Sequence, residues 1–259
     1  MPIVEINGHR TYFEDSGGSG PAIVLSHGFL MDHEMFAPQV GALRGEFRVI
    51  TWDERGHGQT PAGGPFTYWD SAADVLGILD HVHLERAVLG GMSQGGFLSL
   101  RAALFAPDRV KALVLIGTQA GPEDPEVIPL YQAMHAEWVA NGPAAIQEAA
   151  AQLILGDGTP WEPWFAKWAA FPRDALDTPL QCLVEREDIS DRLAEITCPA
   201  IVFHGDADVS ISLDKAEILR NGLVGCEELV VVRGGSHASN LTHPNEINGP
   251  LTGFLRRHA

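Results

Sequence analysis

The chain has 259 residues, 45% hydrophobic and 20% charged, enough to bury one large core or a core with an insertion. Seventeen basic residues against 34 acidic ones leave a formal net charge of −17, which argues against nucleic acid or an anionic membrane surface as a partner. No apolar run reaches the ~18 residues that span a bilayer, and the opening MPIVEINGHR has neither the basic nor the apolar region of a secretory leader.

In chain order, IVEING and RTYFED read as an antiparallel hairpin. Six short runs rich in Val, Ile and Leu follow, at 22–28, 47–53, 86–93, 110–118, 199–206 and 227–235. They do not alternate with polar residues, so they read as strands covered by helices on both faces. Between them the spacing predicts helices near 33–44, 66–84, 94–106, 213–223 and 244–257. Strand–helix alternation of this kind predicts an α/β fold with a doubly wound, mostly parallel sheet.

Residues 119–195 break the pattern. They hold no strong strand candidate but contain four of the six tryptophans, Trp138, Trp161, Trp164 and Trp168. NGP, GDGTP and FPRD punctuate what reads as short helices. This predicts a helical cap insertion at 119–195 within a core domain formed by 1–118 and 196–259. It would roof the carboxyl edge of the sheet, where ligands of such folds bind. Trp161 and Trp164 are its candidate substrate contacts.

The stretch VLGGMSQGG places Ser93 between a strand and a helix. Alone, the pattern also fits a glycine-rich turn with a capping serine. A strand–turn–helix context is what a nucleophile elbow requires, with glycines where side chains would strike backbone and the serine hydroxyl pushed into the open. The amide of Gln94 would then sit at a helix N-terminus, which stabilises anions. SHGFL can offer the Phe29 amide as a second oxyanion donor. FHGDAD and RGGSH each follow a strand and deliver an acid and His237 to the same edge, in the chain order Ser, acid, His.

The motifs SHGF, WDERGHGQT, GMSQGG, HGDAD and GGSH resemble those of the α/β-hydrolase superfamily over nearly the whole chain. The resemblance implies Ser93 as nucleophile, His237 as base and Asp208 as acid, with Asp206 in reserve. It also implies oxyanion amides from Phe29 and Gln94, and a cap at 119–195. Small esterases, perhydrolases and enol-lactonases are the most similar groups. The expected reaction is cleavage of a small ester or lactone through an acyl-enzyme, with a non-catalytic receptor of the same fold as the other class. No metal or organic cofactor is implied. His57 and His27 read as scaffold, the latter ordering the oxyanion loop. Cys182, Cys198 and Cys226 lack paired-ligand spacing and suit a reducing cytoplasm. Residues 119–195 carry four basic against fourteen acidic residues, and no basic cluster is visible to grip a carboxylate. With Phe29 and Met92 as apolar neighbours of the serine, this predicts a neutral substrate.

Overall fold

The computed structural model describes residues 3–157 and 159–259. Met1, Pro2 and Gly158 lie outside the described residues, so the first two positions of the leader reading and the middle of GDGTP have no structural counterpart here.

Eight strands form one sheet: β1 (Ile3–Ile6), β2 (His9–Asp15), β3 (Ala22–Ser26), β4 (Arg48–Trp52), β5 (Ala87–Met92), β6 (Val110–Ile116), β7 (Ala200–Gly205) and β8 (Cys226–Val232). Their spatial order is β1-β2-β4-β3-β5-β6-β7-β8. β1 and β2 form the antiparallel hairpin, β2 also runs antiparallel to β4, and all other pairings are parallel. Each of the six predicted parallel strands ends earlier than the apolar run suggested, because its last residues already belong to a turn on the carboxyl edge.

Successive side chains of a strand point to opposite faces, and here both faces are dry. Val24, Leu89 and Leu113 enter one core, while Ile23, Leu25 and Val88 enter the other. Burying each such side chain contributes about 1.5–3 kcal/mol, which is why these runs do not alternate with polar residues. The first core is closed by α2 (Tyr68–His81), α3 (Gln94–Phe105) and α8 (Leu213–Gly222), the second by α1 (Ala37–Leu43), the short α9 (Ser239–Thr242) and α10 (Pro244–His258). The predicted helix at 33–44 begins instead as a 3-10 turn over His33–Phe36. The one predicted at 66–84 starts two residues later, because Thr67 and Asp70 form a reciprocal capping box.

Between β6 and β7 lie α4 (Ile128–Asn141), α5 (Gln147–Leu155), α6 (Glu162–Ala169) and α7 (Asp177–Val184). Among the described residues no helix is long and apolar enough to cross a membrane. From β3 the chain moves to β4 on one side, then returns to β5 on the other. This reversal opens a crevice at the carboxyl ends of β3 and β5.

Candidate active site

Ser93 sits at that crevice. It follows β5 directly, with φ 52° and ψ −115°, a region that non-glycine residues avoid. Such a conformation costs on the order of 1–3 kcal/mol and persists only where its surroundings hold it. They do so here: the Ser93 amide donates to Ile116 O at 2.9 Å, and its carbonyl accepts from the Thr118 hydroxyl at 2.7 Å. A Cβ at Gly91 would strike the Gly95 backbone, and one at Gly95 would strike the carbonyls of Ser26 and His27. The glycines around the serine are therefore steric requirements of the turn.

The loop after β3 lies against the serine. A Cβ on Gly28 would collide with Met92 Sδ and reach within 3.6 Å of Ser93 Cβ, so glycine permits this approach. Among the described residues neither the Phe29 amide nor the Gln94 amide is taken by a protein acceptor. Two N–H groups beside the serine thus remain open to a developing oxyanion. His27 orders this loop: the Glu54 amide donates to its Nε2 at 2.9 Å, which leaves Nδ1–H to donate to Gly28 O at 2.8 Å. Burial pushes the neighbouring His57 down to about 3, so it stays neutral against the His27 and Phe29 rings.

Asp208 occupies the turn after β7, its side chain fully buried. Oδ1 accepts the amides of Ser210 and Ile211 at 2.8 and 3.0 Å, and Oδ2 lies 2.8 Å from His237 Nδ1. Burial opposes ionisation, yet the His237 charge, its hydrogen bond and the Ile211 amide together hold the carboxyl below its usual range. With Nδ1 engaged, Nε2 is the nitrogen left to exchange a proton with a serine. Among the described residues the Ser93 hydroxyl makes no hydrogen bond; such contacts are often long before substrate binds. Asp206 is used differently: its Oδ1 accepts the Gly234 amide at 2.6 Å, bracing the turn that carries His237.

Ser93, His237, Phe29 and Met92 all line one cleft of about 800 Å³, together with Leu153, Ile154 and other residues of the insertion. Helix α5 clasps both site loops, since Ile154 O accepts the Ala238 amide at 2.8 Å and Leu153 O accepts the Ser210 hydroxyl at 3.0 Å.

The two tryptophans expected to contact substrate do not line the cleft. Trp161 donates its indole N–H to Gly156 O at 3.0 Å, and Trp164 is buried in the core beneath the insertion with the Lys167 ammonium over its ring. The reason is the amphipathic face of α6. Trp164 and Trp168, four residues apart, both point inward, and Trp168 donates to Leu30 O at 2.6 Å, tethering the loop after β3. The insertion instead supplies Trp138, Tyr131, His135 and Glu123 to the cleft. Reasoning from the sequence missed these four: α4, which carries Tyr131, His135 and Trp138, is exposed on most of its surface and shows no apolar stripe, and Glu123 lies in the loop before it. Of the fourteen acidic residues at 119–195, all but Glu123 are exposed; Glu123 pairs with the buried Arg186 at 2.9 Å.

The alpha/beta hydrolase fold model matches residues 21–244. The 3-oxoadipate enol-lactonase 1 of Acinetobacter baylyi is 28% identical over 98% of this chain and 92% of its own length. Among solved structures, the enol-lactonase from Burkholderia xenovorans LB400 superposes with a TM-score of 0.90 at 26% identity, covering 98% of this chain and all of that one. A thermophilic esterase from Thermogutta terrifontis gives 0.88 at 27% identity, covering 96% of this chain and 94% of that one.

Proposed function

The chain belongs to the α/β-hydrolase fold family, and on that premise we propose that it is a serine hydrolase of small, neutral carboxylic esters or lactones. The observation that carries this reading is the Asp208–His237 pair at 2.8 Å, facing the cleft that Ser93 also lines. Ser93 Oγ attacks the substrate carbonyl while His237 Nε2 takes its proton. Asp208 holds the imidazole tautomer and stabilises the imidazolium. The tetrahedral oxyanion is received by the Phe29 and Gln94 amides. His237 then protonates the leaving alcohol, and water enters by the same base to release the acid.

Enol-lactonase chemistry is the second reading, supported by the 28% identical relative and the 26% identical structure. It uses the same residues. A dicarboxylate-type enol-lactone would meet the Glu123 carboxylate on the cleft wall, which favours uncharged substrates. Three free thiols fit a reducing compartment such as the cytoplasm.

The test is release of p-nitrophenol from a short-chain p-nitrophenyl ester. Steady turnover far beyond the protein concentration supports the hydrolase. A single sub-stoichiometric burst indicates a ligand receptor built on the same fold.

A further inference from the structure

Behind Asp208 lies a buried histidine that the proposed reaction does not use. His204, on β7, is fully buried and does not line the cleft. Its Nε2 stands 2.8 Å from Ile211 O. A carbonyl only accepts, so this nitrogen carries the proton and donates. Nδ1 is then the bare nitrogen, and it has no partner among the described residues. Burial pushes the imidazole below its usual range, which keeps the ring neutral and in this tautomer. An apolar side chain would spare the core an orphaned nitrogen. The atom that distinguishes His204 from such a side chain is therefore the engaged one, Nε2.

The bond from Nε2 closes a ring around the acid. Ile211 accepts from His204 through its carbonyl and donates through its amide to Asp208 Oδ1 at 3.0 Å. The same Nε2 stands 3.6 Å from Asp208 Oδ2, the oxygen that meets His237 Nδ1 at 2.8 Å. That separation is too long for a hydrogen bond, but it sets the positive end of the ring dipole beside the carboxylate. The two ends of the ring differ in rigidity. His204 belongs to a strand bonded to β6 on one side and β8 on the other, whereas Asp208–Ile211 form a turn outside any strand or helix. Through His204, the sheet holds the turn.

Resting on the serine-hydrolase reading above, we propose that His204 is a positioning residue for Asp208: its Nε2–H ties the Asp208–Ile211 turn to the sheet and so keeps Oδ2 in register with His237 Nδ1. It touches neither substrate nor the reacting atoms and acts only through the acid.

The test sets two polar replacements against each other. His204→Gln puts an amide N–H where Nε2 stands and still reaches Ile211 O. His204→Asn is one carbon shorter, so its amide stops at the level of Nδ1 and Ile211 O loses its donor. With p-nitrophenyl acetate, His204→Gln should keep kcat within about 3-fold of the wild type, the hydrogen bond being regained. His204→Asn should lose roughly 10- to 100-fold, since a displacement of ~1 Å in a catalytic group can cost ~10²-fold. KM should hardly move in either, because the side chain does not reach the cleft. If His204→Asn does not fold, His204→Phe keeps the ring shape without the donor and should show the same loss. Equal kcat in the Gln variant and the donor-less one, or a loss carried by KM instead, overturns the proposal. The proton between His237 Nδ1 and Asp208 Oδ2 gives a far-downfield proton NMR line that needs no substrate, and this separates the two readings. Without ester turnover, a line kept in His204→Gln and lost in His204→Asn leaves the positioning role standing and removes the hydrolase chemistry. An unchanged line in all three proteins removes the positioning role, with or without turnover.

Discussion

The Oδ2 atom of Asp208 lies 2.8 Å from Nδ1 of His237, while its other oxygen accepts two backbone amides. The acid is thereby oriented from both ends, and His204 Nε2 stands 3.6 Å from the same Oδ2. Asp208→Asn should reduce kcat/KM by up to ~10⁴-fold, because an amide can impose the wrong imidazole tautomer. Asp206→Asn, which touches only the Gly234 amide, should cost far less. A greater loss at Asp206 in steady-state assays would exchange the two roles.

Glu54 supplies the pH test. Burial raises its carboxyl to about 8, and neither carboxylate oxygen has a hydrogen-bond partner among the described residues. The unfolded chain releases this proton near 4.5, so between these values the folded state binds more protons than the unfolded one. The Glu54 contribution to stability is therefore greatest below the unfolded value, declines as pH rises towards about 8 and is flat above it. Glu54→Gln removes that decline. Its Tm should exceed the wild-type value by a margin that widens from pH 5 to pH 8. A margin independent of pH in differential scanning calorimetry contradicts the assignment.

Two glycines give opposite outcomes with alanine. Gly95→Ala would drive a Cβ into the carbonyls of Ser26 and His27 and should abolish either folding or activity. Gly41→Ala, in α1 with open space around the new carbon, should stabilise by roughly 0.5–1 kcal/mol. Urea unfolding of both variants checks the pair; a Gly95→Ala protein with wild-type stability and activity would refute the steric account of the turn.

Charge selectivity follows from Glu123. A neutral ester should be favoured over its ω-carboxylate analogue, with the gap narrowing as salt is added, since the field of the insertion and its exposed acids is screened. Rates measured at low and high ionic strength test this. An advantage for the anion at low salt would show that the cleft has a cationic wall.

The strands were legible because double-sided burial leaves an unbroken apolar run, as in AIVLS of β3, where every residue is buried. Ser93, Asp208 and His237 were legible because tight turns at strand ends need glycine, and glycine marks them in the text. The insertion was not legible in the same way. Trp164 and Trp168 follow a helical period, but period alone does not say whether that face meets substrate or core. Tyr131 and His135 share a helix whose surface is mostly exposed, so no pattern separates the cleft-facing positions from the solvated ones. Glu123 was submerged among thirteen exposed acids, and only its contact with buried Arg186 distinguishes it.

In the proposed reaction Ser93 carries the acyl group. Protein mixed with p-nitrophenyl acetate, quenched in acid within the first turnovers, digested and examined by mass spectrometry tests it directly. One acetyl group is expected on the peptide containing Ser93 in the wild-type protein and none in Ser93→Ala, whose turnover should fall by ~10⁴-fold or more. Acetyl transfer to another residue, or a Ser93→Ala protein that retains even about a tenth of wild-type turnover, would contradict it.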